Sequence, residues 1–135
     1  MKKPKLIILC LLVLAVIFAV LLIPKAPNVS QAALQVNLTL EYGNGTISNF
    51  ENIEMFSNST VYDALIEASN SNGFRVQSQF NEQFKSKLIT SIGDLEGKDG
   101  KYWTYFVNSE FASVGSDQQL LKPNDRIKFR YAGLE

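Results

Sequence analysis

The sequence contains no histidine and a single cysteine, and both shortages limit the chemistry that the chain can carry. Histidine has the unperturbed pKa nearest neutral and is the commonest metal ligand. Its absence excludes Ser-His-Asp and Cys-His catalysis and the usual zinc sites. The lone Cys10 excludes a disulfide within the chain. The acidic residues lie mostly in turn-like segments, so we expect a protein that is not an enzyme, with no catalytic residue, no cofactor and no metal site.

Positive charge is scarce beyond the first 25 residues. The whole chain has 13 basic and 13 acidic residues, but from position 26 onward 9 basic residues face 13 acidic ones. Phosphate contacts need a basic face, so this deficit argues against nucleic acid as a partner.

An apolar run of 18 residues, Leu6 to Ile23, follows Lys2, Lys3 and Lys5. As a helix it would extend about 27 Å, close to the thickness of the hydrocarbon core. The lysines before it, against Lys25 alone after it, place the N-terminus in the cytoplasm and the rest of the chain outside. We therefore predict a single-pass membrane protein that contacts the lipid bilayer through this helix. The alternative is a secreted chain, cleaved at the small-residue site Ser30-Gln31-Ala32.

The predicted organisation has four parts: a cytoplasmic N-terminus over residues 1–5, a transmembrane anchor over 6–23, a linker over 24–33 and a domain over 34–132. Prolines stiffen the linker and prevent the helix from continuing. Sequons begin at four positions, which are candidate glycosylation sites on the exported part: Asn28, Asn37, Asn44 and Asn58.

The patterns beyond residue 33 predict an α+β domain. Apolar residues alternate from Leu34 to Leu40, and a Gly-Asn-Gly turn follows. Thr60 and Asp63 have the spacing of a capping box. We predict strands over 34–41 and 46–55, and the second of these is irregular in its middle. A helix follows from Thr60 to the turn at 70–73, and a loop or weak strand covers 74–84. The remaining predicted elements are strands over 87–92 and 101–108, a loop over 111–123 and a strand over 126–131. One helix packed on a mixed sheet, as in β-grasp domains, fits this order.

Three surface features are candidates for function. The strand over 101–108 is aromatic on both faces, which is typical of a central strand or of a strand with one face toward a ligand. Arg126, Lys128 and Arg130 form a basic stripe, which favours a solvated or charge-guarded edge strand over an anion site. The acidic loop over 94–99 favours a solvated turn over a calcium site, since Lys98 and Asp99 break the EF-hand spacing.

Five segments occur in an order that resembles the transcobalamin-like C-terminal domain, a family of domains of unknown function in microbial surface proteins. They are Thr60–Leu65, Ile89–Ile92, Tyr102–Asn108, Val114-Gly115 and Pro123–Ile127. The resemblance covers nearly all of the exported part and implies a β-grasp-type fold. It departs from the family at Asn124-Asp125, where a Gly-Asp pair is common.

The resemblance also implies a ligand. In animal transcobalamins and intrinsic factor, the similar domain closes over one side of cobalamin while a helical barrel holds the other side. This chain is too short for such a barrel, so a half-site of this kind is expected to bind weakly by itself. The positions that the resemblance carries over as ligand contacts are Ser91, Ile92, Trp103, Glu110 and Phe111.

We therefore expect a membrane-anchored, extracytoplasmic, non-catalytic binding or interaction module. Its candidate partners are a corrinoid or another small ligand, and a surface protein that completes the site. The alternative is a structural cell-surface module with no small-molecule ligand.

The anchor is tested by fractionating cells that express the full chain. We expect the protein in the membrane fraction, released by detergent but not by high salt, because an apolar helix of this length is held by hydrocarbon. Recovery of the full-length product in the soluble fraction without detergent would contradict the anchor.

Overall fold

The computed structural model of the protein describes residues 3–4, 8 and 33–133. The predicted anchor lies, apart from Ile8, outside the described residues, as do Cys10, Asn28 and the predicted linker before Ala33. Among the described residues, no helix is long and apolar enough to cross a membrane. Residues 33–133 contain one helix and two sheets.

Eight strands and one helix make up this part of the chain. The larger sheet has five strands in the order β2-β1-β8-β6-β7, and the smaller sheet has three in the order β3-β4-β5. The elements are β1 (Ala33–Glu41), β2 (Ile47–Phe56), α1 (Val61–Asn72), β3 (Val76–Asn81), β4 (Ser86–Ile92), β5 (Leu95–Glu96), β6 (Lys101–Val107), β7 (Glu110–Phe111) and β8 (Arg126–Gly133). A sheet-dominated α+β architecture with one helix is confirmed.

The centre of the larger sheet joins the first strand to the last. β1 pairs in parallel with β8, from Asn37 opposite Arg126 to Glu41 opposite Arg130. The remaining pairs of strands among residues 33–133 are all antiparallel. The alternation of β1 buries one face, as predicted, and Ile127, Phe129 and Tyr131 point the same way from β8. The core consists of these side chains and the apolar face of α1, principally Val36, Leu38, Leu40, Val61, Leu65, Ile127 and Phe129.

Helix α1 has the ends that the sequence predicts. The Thr60 hydroxyl accepts a hydrogen bond from the Asp63 N–H, and the Asp63 carboxylate accepts one from the Thr60 N–H at 2.8 Å. Gly73 follows in the left-handed conformation and donates its N–H to the Ser69 carbonyl. Both ends therefore satisfy main-chain groups that the helix itself leaves unpaired.

The strands agree with the predictions in outline, and the structure adds detail in two segments. The predicted irregularity of β2 is confirmed, because the ladder with β1 shifts register between Val36 and Leu38. The segment predicted as loop or weak strand contains β3, which is an edge strand with little burial. The predicted polar turn over 93–100 contains the short strand β5. Neither strand buries one face throughout, so periodicity gives little signal for them.

The basic stripe lies on the outer face of a central strand, so the prediction of an edge strand is wrong. Glu41 on β1 neutralises part of it, because its carboxylate accepts a hydrogen bond from Arg130 Nε at 2.7 Å and lies 3.4 Å from Lys128 Nζ. The Arg130 hydrogen bond lowers the pKa of the Glu41 carboxyl, with burial acting in the opposite direction and the charge of Lys128 adding to the lowering. Lys128 and Arg130 also lie over the Phe106 ring, at 5.3 Å and 5.0 Å from its centroid. The stripe is thus partly solvated, which is the other alternative that the sequence predicts, and the pairing of Lys128 and Arg130 with Glu41 was not predicted.

Strand β6 is less enclosed than a fully covered central strand. Trp103 and Tyr105 are buried, but Tyr102 on the other face is 45% exposed. One edge of β6 pairs with β8 along its whole length, whereas β7 pairs only with Phe106 and Val107 on the opposite edge. The rest of that edge faces the smaller sheet.

The turn between β1 and β2 offers a matched pair of glycines for a stability test. Gly43 and Gly45 both have positive φ, at 76° and 87°. Their surroundings differ, because a Cβ on Gly43 would lie 2.5 Å from the Tyr131 carbonyl oxygen. A Cβ on Gly45 would meet nothing within 4 Å. We expect Gly45→Ala to lower the free energy of unfolding by about 1 kcal/mol and Gly43→Ala by about 2–4 kcal/mol, because only the latter adds a clash. Urea unfolding checks this, and equal losses would contradict the close approach.

Candidate ligand-binding groove

An open groove separates the two sheets where β4 and β6 run side by side without pairing. Two adjoining cavities of about 590 Å³ and 380 Å³ occupy it. Both are lined by Leu88 and Ile89 of β4 and by Trp103 and Thr104 of β6. We call this space the β4–β6 groove; its size lies within the range of pockets that take small ligands.

One end of the groove is closed by the loop over residues 112–118. The Asp117 carboxylate accepts the Lys87 N–H at 3.1 Å, and the Gln118 amide donates to the Lys85 carbonyl at 2.9 Å. Gly115 lies directly against Ser86, since a Cβ on Gly115 would lie 2.4 Å from the Ser86 Cβ. These contacts hold the loop to the beginning of β4.

The other end is closed where β5 meets β6 and β8. The Trp103 indole N–H donates to the Leu95 carbonyl at 2.9 Å, and the Tyr131 hydroxyl donates to the Glu96 carbonyl at 2.9 Å. The indole ring also lies edge-on to Tyr42 and tilted against Tyr131. Hydrogen bonds therefore join the sheets at both ends of the groove.

Exposed apolar side chains gather at the groove. Ten large hydrophobic side chains are exposed among the described residues, and five of them line the two cavities: Phe84, Leu88, Tyr102, Phe111 and Val114. Scattered exposed hydrophobics are ordinary, whereas a cluster around a concavity is typical of a binding surface. Phe84, Leu88 and Val114 were not predicted as site residues, because a single apolar residue in a strand or loop does not indicate which side of the domain it faces.

The floor of the larger cavity carries polar groups at its loop end. Ser116 is 2% exposed, and its hydroxyl has no hydrogen-bond partner among the described residues. The Tyr105 hydroxyl donates to the Val114 carbonyl at 2.6 Å. Burial, and secondly the negative charge of Asp117, raises the pKa of Tyr105 to about 12 from its ordinary 10.0. The groove therefore has mainly apolar walls, and the unpaired Ser116 hydroxyl beside it is buried beneath the surface.

The structure brings together only part of the predicted contact set. Trp103 lines both cavities, although it is 5% exposed, and Phe111 lines the larger cavity. Ser91 and Ile92 are buried and line neither cavity. Glu110 is exposed and lines an adjoining polar depression of about 300 Å³, which shares Phe111 with the larger cavity and extends toward Asn108 and Asp125. The predicted contacts therefore do not form one continuous surface.

The remaining predicted sites are the sequons and the acidic loop. Asn37, Asn44 and Asn58 are all exposed and line neither cavity, and glycosylation there stays a prediction. The acidic loop over 94–99 contains β5, and its Glu96 lines the smaller cavity. In the described part of the chain, no group of three or more acidic or cysteine side chains is arranged to hold a metal ion.

The raised pKa of Tyr105 predicts how stability changes at high pH. The folded state keeps the phenol protonated up to about pH 12, whereas the unfolded chain loses this proton near pH 10. Stability from this group is therefore complete below pH 10 and falls as the pH rises from 10 to 12. We expect urea unfolding to show this decline in the wild type and a smaller decline in Tyr105→Phe. Identical declines, or a tyrosinate absorbance for Tyr105 that titrates near pH 10, would contradict the assignment.

Comparisons with known proteins agree with this fold. A family model described as Domain of unknown function (DUF4430) matches residues 58–133. The structure of haptocorrin in complex with Cbi is similar at a TM-score of 0.65 and 20% identity, over 77% of this chain and 26% of the haptocorrin chain. This chain thus spans about a quarter of haptocorrin's length.

A Ruminococcus gnavus protein that is suggested to bind a metal is similar at a TM-score of 0.58 and 17% identity, over 76% of this chain and 99% of that one. No curated protein matches the sequence. The two structural likenesses show a shared fold. Together with the family match they confirm the resemblance predicted from the five ordered segments, and the chain belongs to the family described as Domain of unknown function (DUF4430).

Proposed function

We propose that the chain is a non-catalytic, extracytoplasmic binding module that residues 6–23 hold at the membrane. In this proposal the domain over 34–132 is a β-grasp-like body, and its ligand occupies the β4–β6 groove. The single observation that carries the proposal is the clustering of exposed apolar side chains around a concavity that is closed at both ends. Both similar structures are described by what they bind, which supports a binding role over an enzymatic one.

A corrinoid is the first ligand to test. The family resemblance implies it, and haptocorrin was solved with Cbi. The apolar walls suit the face of a large planar ligand. Because the groove is open on one side, much of such a ligand would remain in water. We therefore expect affinity in the micromolar to millimolar range, raised when a partner protein covers the exposed side.

A structural module without a small ligand is the second candidate. The burial of Ser91, Ile92 and Trp103 favours it, because three of the five implied contact residues serve the core. The exposed residues around the groove argue the other way, since core packing does not account for Phe84 at 66% or Leu88 at 51% exposure.

Equilibrium dialysis of the full-length protein in detergent against cobinamide, followed by the absorbance of the corrinoid, distinguishes the two candidates. We expect wild-type protein to retain cobinamide and Leu88→Arg to bind at least about tenfold more weakly, because the added charge would lie within the apolar groove. Ile47→Arg is the matched control: Ile47 is similarly exposed, at 55%, but lies on the outer strand β2. Binding that is equal in wild type and Leu88→Arg would exclude the groove, and no retention at millimolar cobinamide would favour the structural module.

A further inference from the structure

The dipeptide Asn-Gly occurs twice in the chain, at Asn44-Gly45 and at Asn72-Gly73. An asparagine before a glycine is prone to cyclise, because no side chain on the glycine obstructs the approach of its main-chain nitrogen to the asparagine amide carbon. All four residues are exposed, so solvent reaches both sites. Since the dipeptide and the exposure are alike, a difference in reactivity would come from how the surrounding chain holds each site.

The site at Asn72 is held by hydrogen bonds of the helix. Asn72 is the last residue of α1, and its Nδ2 donates to the Ala68 carbonyl at 2.8 Å. The Gly73 N–H donates to the Ser69 carbonyl, also at 2.8 Å. Cyclisation uses both of these nitrogens, since the glycine nitrogen attacks and the asparagine Nδ2 leaves. The end of the helix would therefore have to open before Asn72 could react, and opening lowers the reactive population.

The site at Asn44 lies in the turn between β1 and β2, where neither reacting nitrogen is held. The Asn44 side chain is bonded through Oδ1, which accepts the Thr46 N–H at 2.9 Å. Neither Asn44 Nδ2 nor the Gly45 N–H forms a hydrogen bond with any of residues 33–133. The Tyr42 N–H closes the turn by donating to the Thr46 carbonyl at 3.1 Å, outside the two reacting residues. Cyclisation at this site therefore breaks no hydrogen bond of either nitrogen.

We propose that Asn44 is a site of spontaneous deamidation, in which the main chain attacks its own side chain and water is the co-reactant. The Gly45 nitrogen loses its proton to solvent and bonds to Asn44 Cγ. The Cγ–Nδ2 bond breaks, and the leaving nitrogen takes a proton from solvent and departs as ammonia. Water then opens the resulting succinimide at either carbonyl, which leaves aspartate or isoaspartate at position 44. Nothing is oxidised or reduced, and the proposal depends on neither the ligand nor the membrane anchor.

The two products differ in their effect on the turn. Aspartate keeps the length of the main chain and an oxygen that accepts the Thr46 N–H, and it adds a negative charge on an exposed surface. Isoaspartate inserts a methylene group into the main chain next to Gly43. Gly43 is closely packed, because a Cβ there would lie 2.5 Å from the Tyr131 carbonyl oxygen. We therefore expect isoaspartate, and not aspartate, to disturb this contact and destabilise the domain.

The test compares the two sites within one protein. Full-length protein, made in a host that adds no N-glycans, is incubated in detergent at mildly alkaline pH. Peptide mass spectrometry then follows both sites, with fragmentation that distinguishes isoaspartate from aspartate. We expect Asn44 to deamidate at least about tenfold faster than Asn72 in the folded protein, and in concentrated urea the two rates should agree within about threefold, because the helix that protects Asn72 is then unfolded.

Three outcomes of this comparison would overturn the proposal. Equal rates in the folded protein would show that the turn gives Asn44 no advantage. A tenfold ratio that persists in urea would show that the sequence around each site, and not the fold, sets the rates. Aspartate without isoaspartate at position 44 would indicate direct hydrolysis by water instead of cyclisation.

Variants assign the reaction and its consequence to the turn. Asn44→Gln should abolish deamidation at this position, because the longer side chain would have to close a larger ring, while the matched control Asn72→Gln should leave the rate at Asn44 unchanged. Asn44→Asp should unfold at the wild-type urea concentration, whereas the aged fraction that ion exchange separates by its added charge should unfold at a lower one. Equal unfolding of these two would overturn the strain assigned to isoaspartate. Native protein with a glycan on Asn44 would overturn the proposal, because the sugar occupies the nitrogen that must leave.

Discussion

Parallel pairing between β1 and β8 is the constraint on which the rest of the domain depends. It places the two ends of the described domain side by side at the centre of the larger sheet, where Leu38, Leu40, Ile127 and Phe129 are buried beneath α1. A parallel pair needs a long connection between its strands, and here that connection contains the helix and the smaller sheet. β6 must then lie against the free edge of β8, so its own far edge meets the smaller sheet.

The groove exists because the two sheets are joined at their ends and not along their length. At one end, Asp117 and Gln118 bond to β4, and Gly115 packs against Ser86 at a distance that no side chain would allow. At the other end, the Trp103 indole bonds to the Leu95 carbonyl. These contacts satisfy polar groups that a continuous ladder would otherwise satisfy.

The proposed ligand site rests on the composition of the groove. Its walls are apolar and carry few charges. The planar face of a corrinoid suits such walls. The open side of the groove limits the surface that any occupant buries, so a covering partner would raise affinity. Display outside the cell, as we propose, would make the ligand and the partner accessible.

The sequence by itself determined the strands that alternate, the capped helix, the charge deficit beyond residue 25 and the exclusion of histidine chemistry. Each of these depends on local spacing or on composition, which the chain carries without reference to its fold. Only the tertiary structure decided that Trp103 is buried in the core while Leu88 and Phe111 are exposed, that the basic stripe lies on a central strand, and that β4 and β6 lie side by side without pairing. The amino-acid pattern of an aromatic strand is the same whether or not the neighbouring strand forms hydrogen bonds with it. The reason is that paired residues are distant in the chain. The groove is the space left between such distant partners, and no local pattern encodes it.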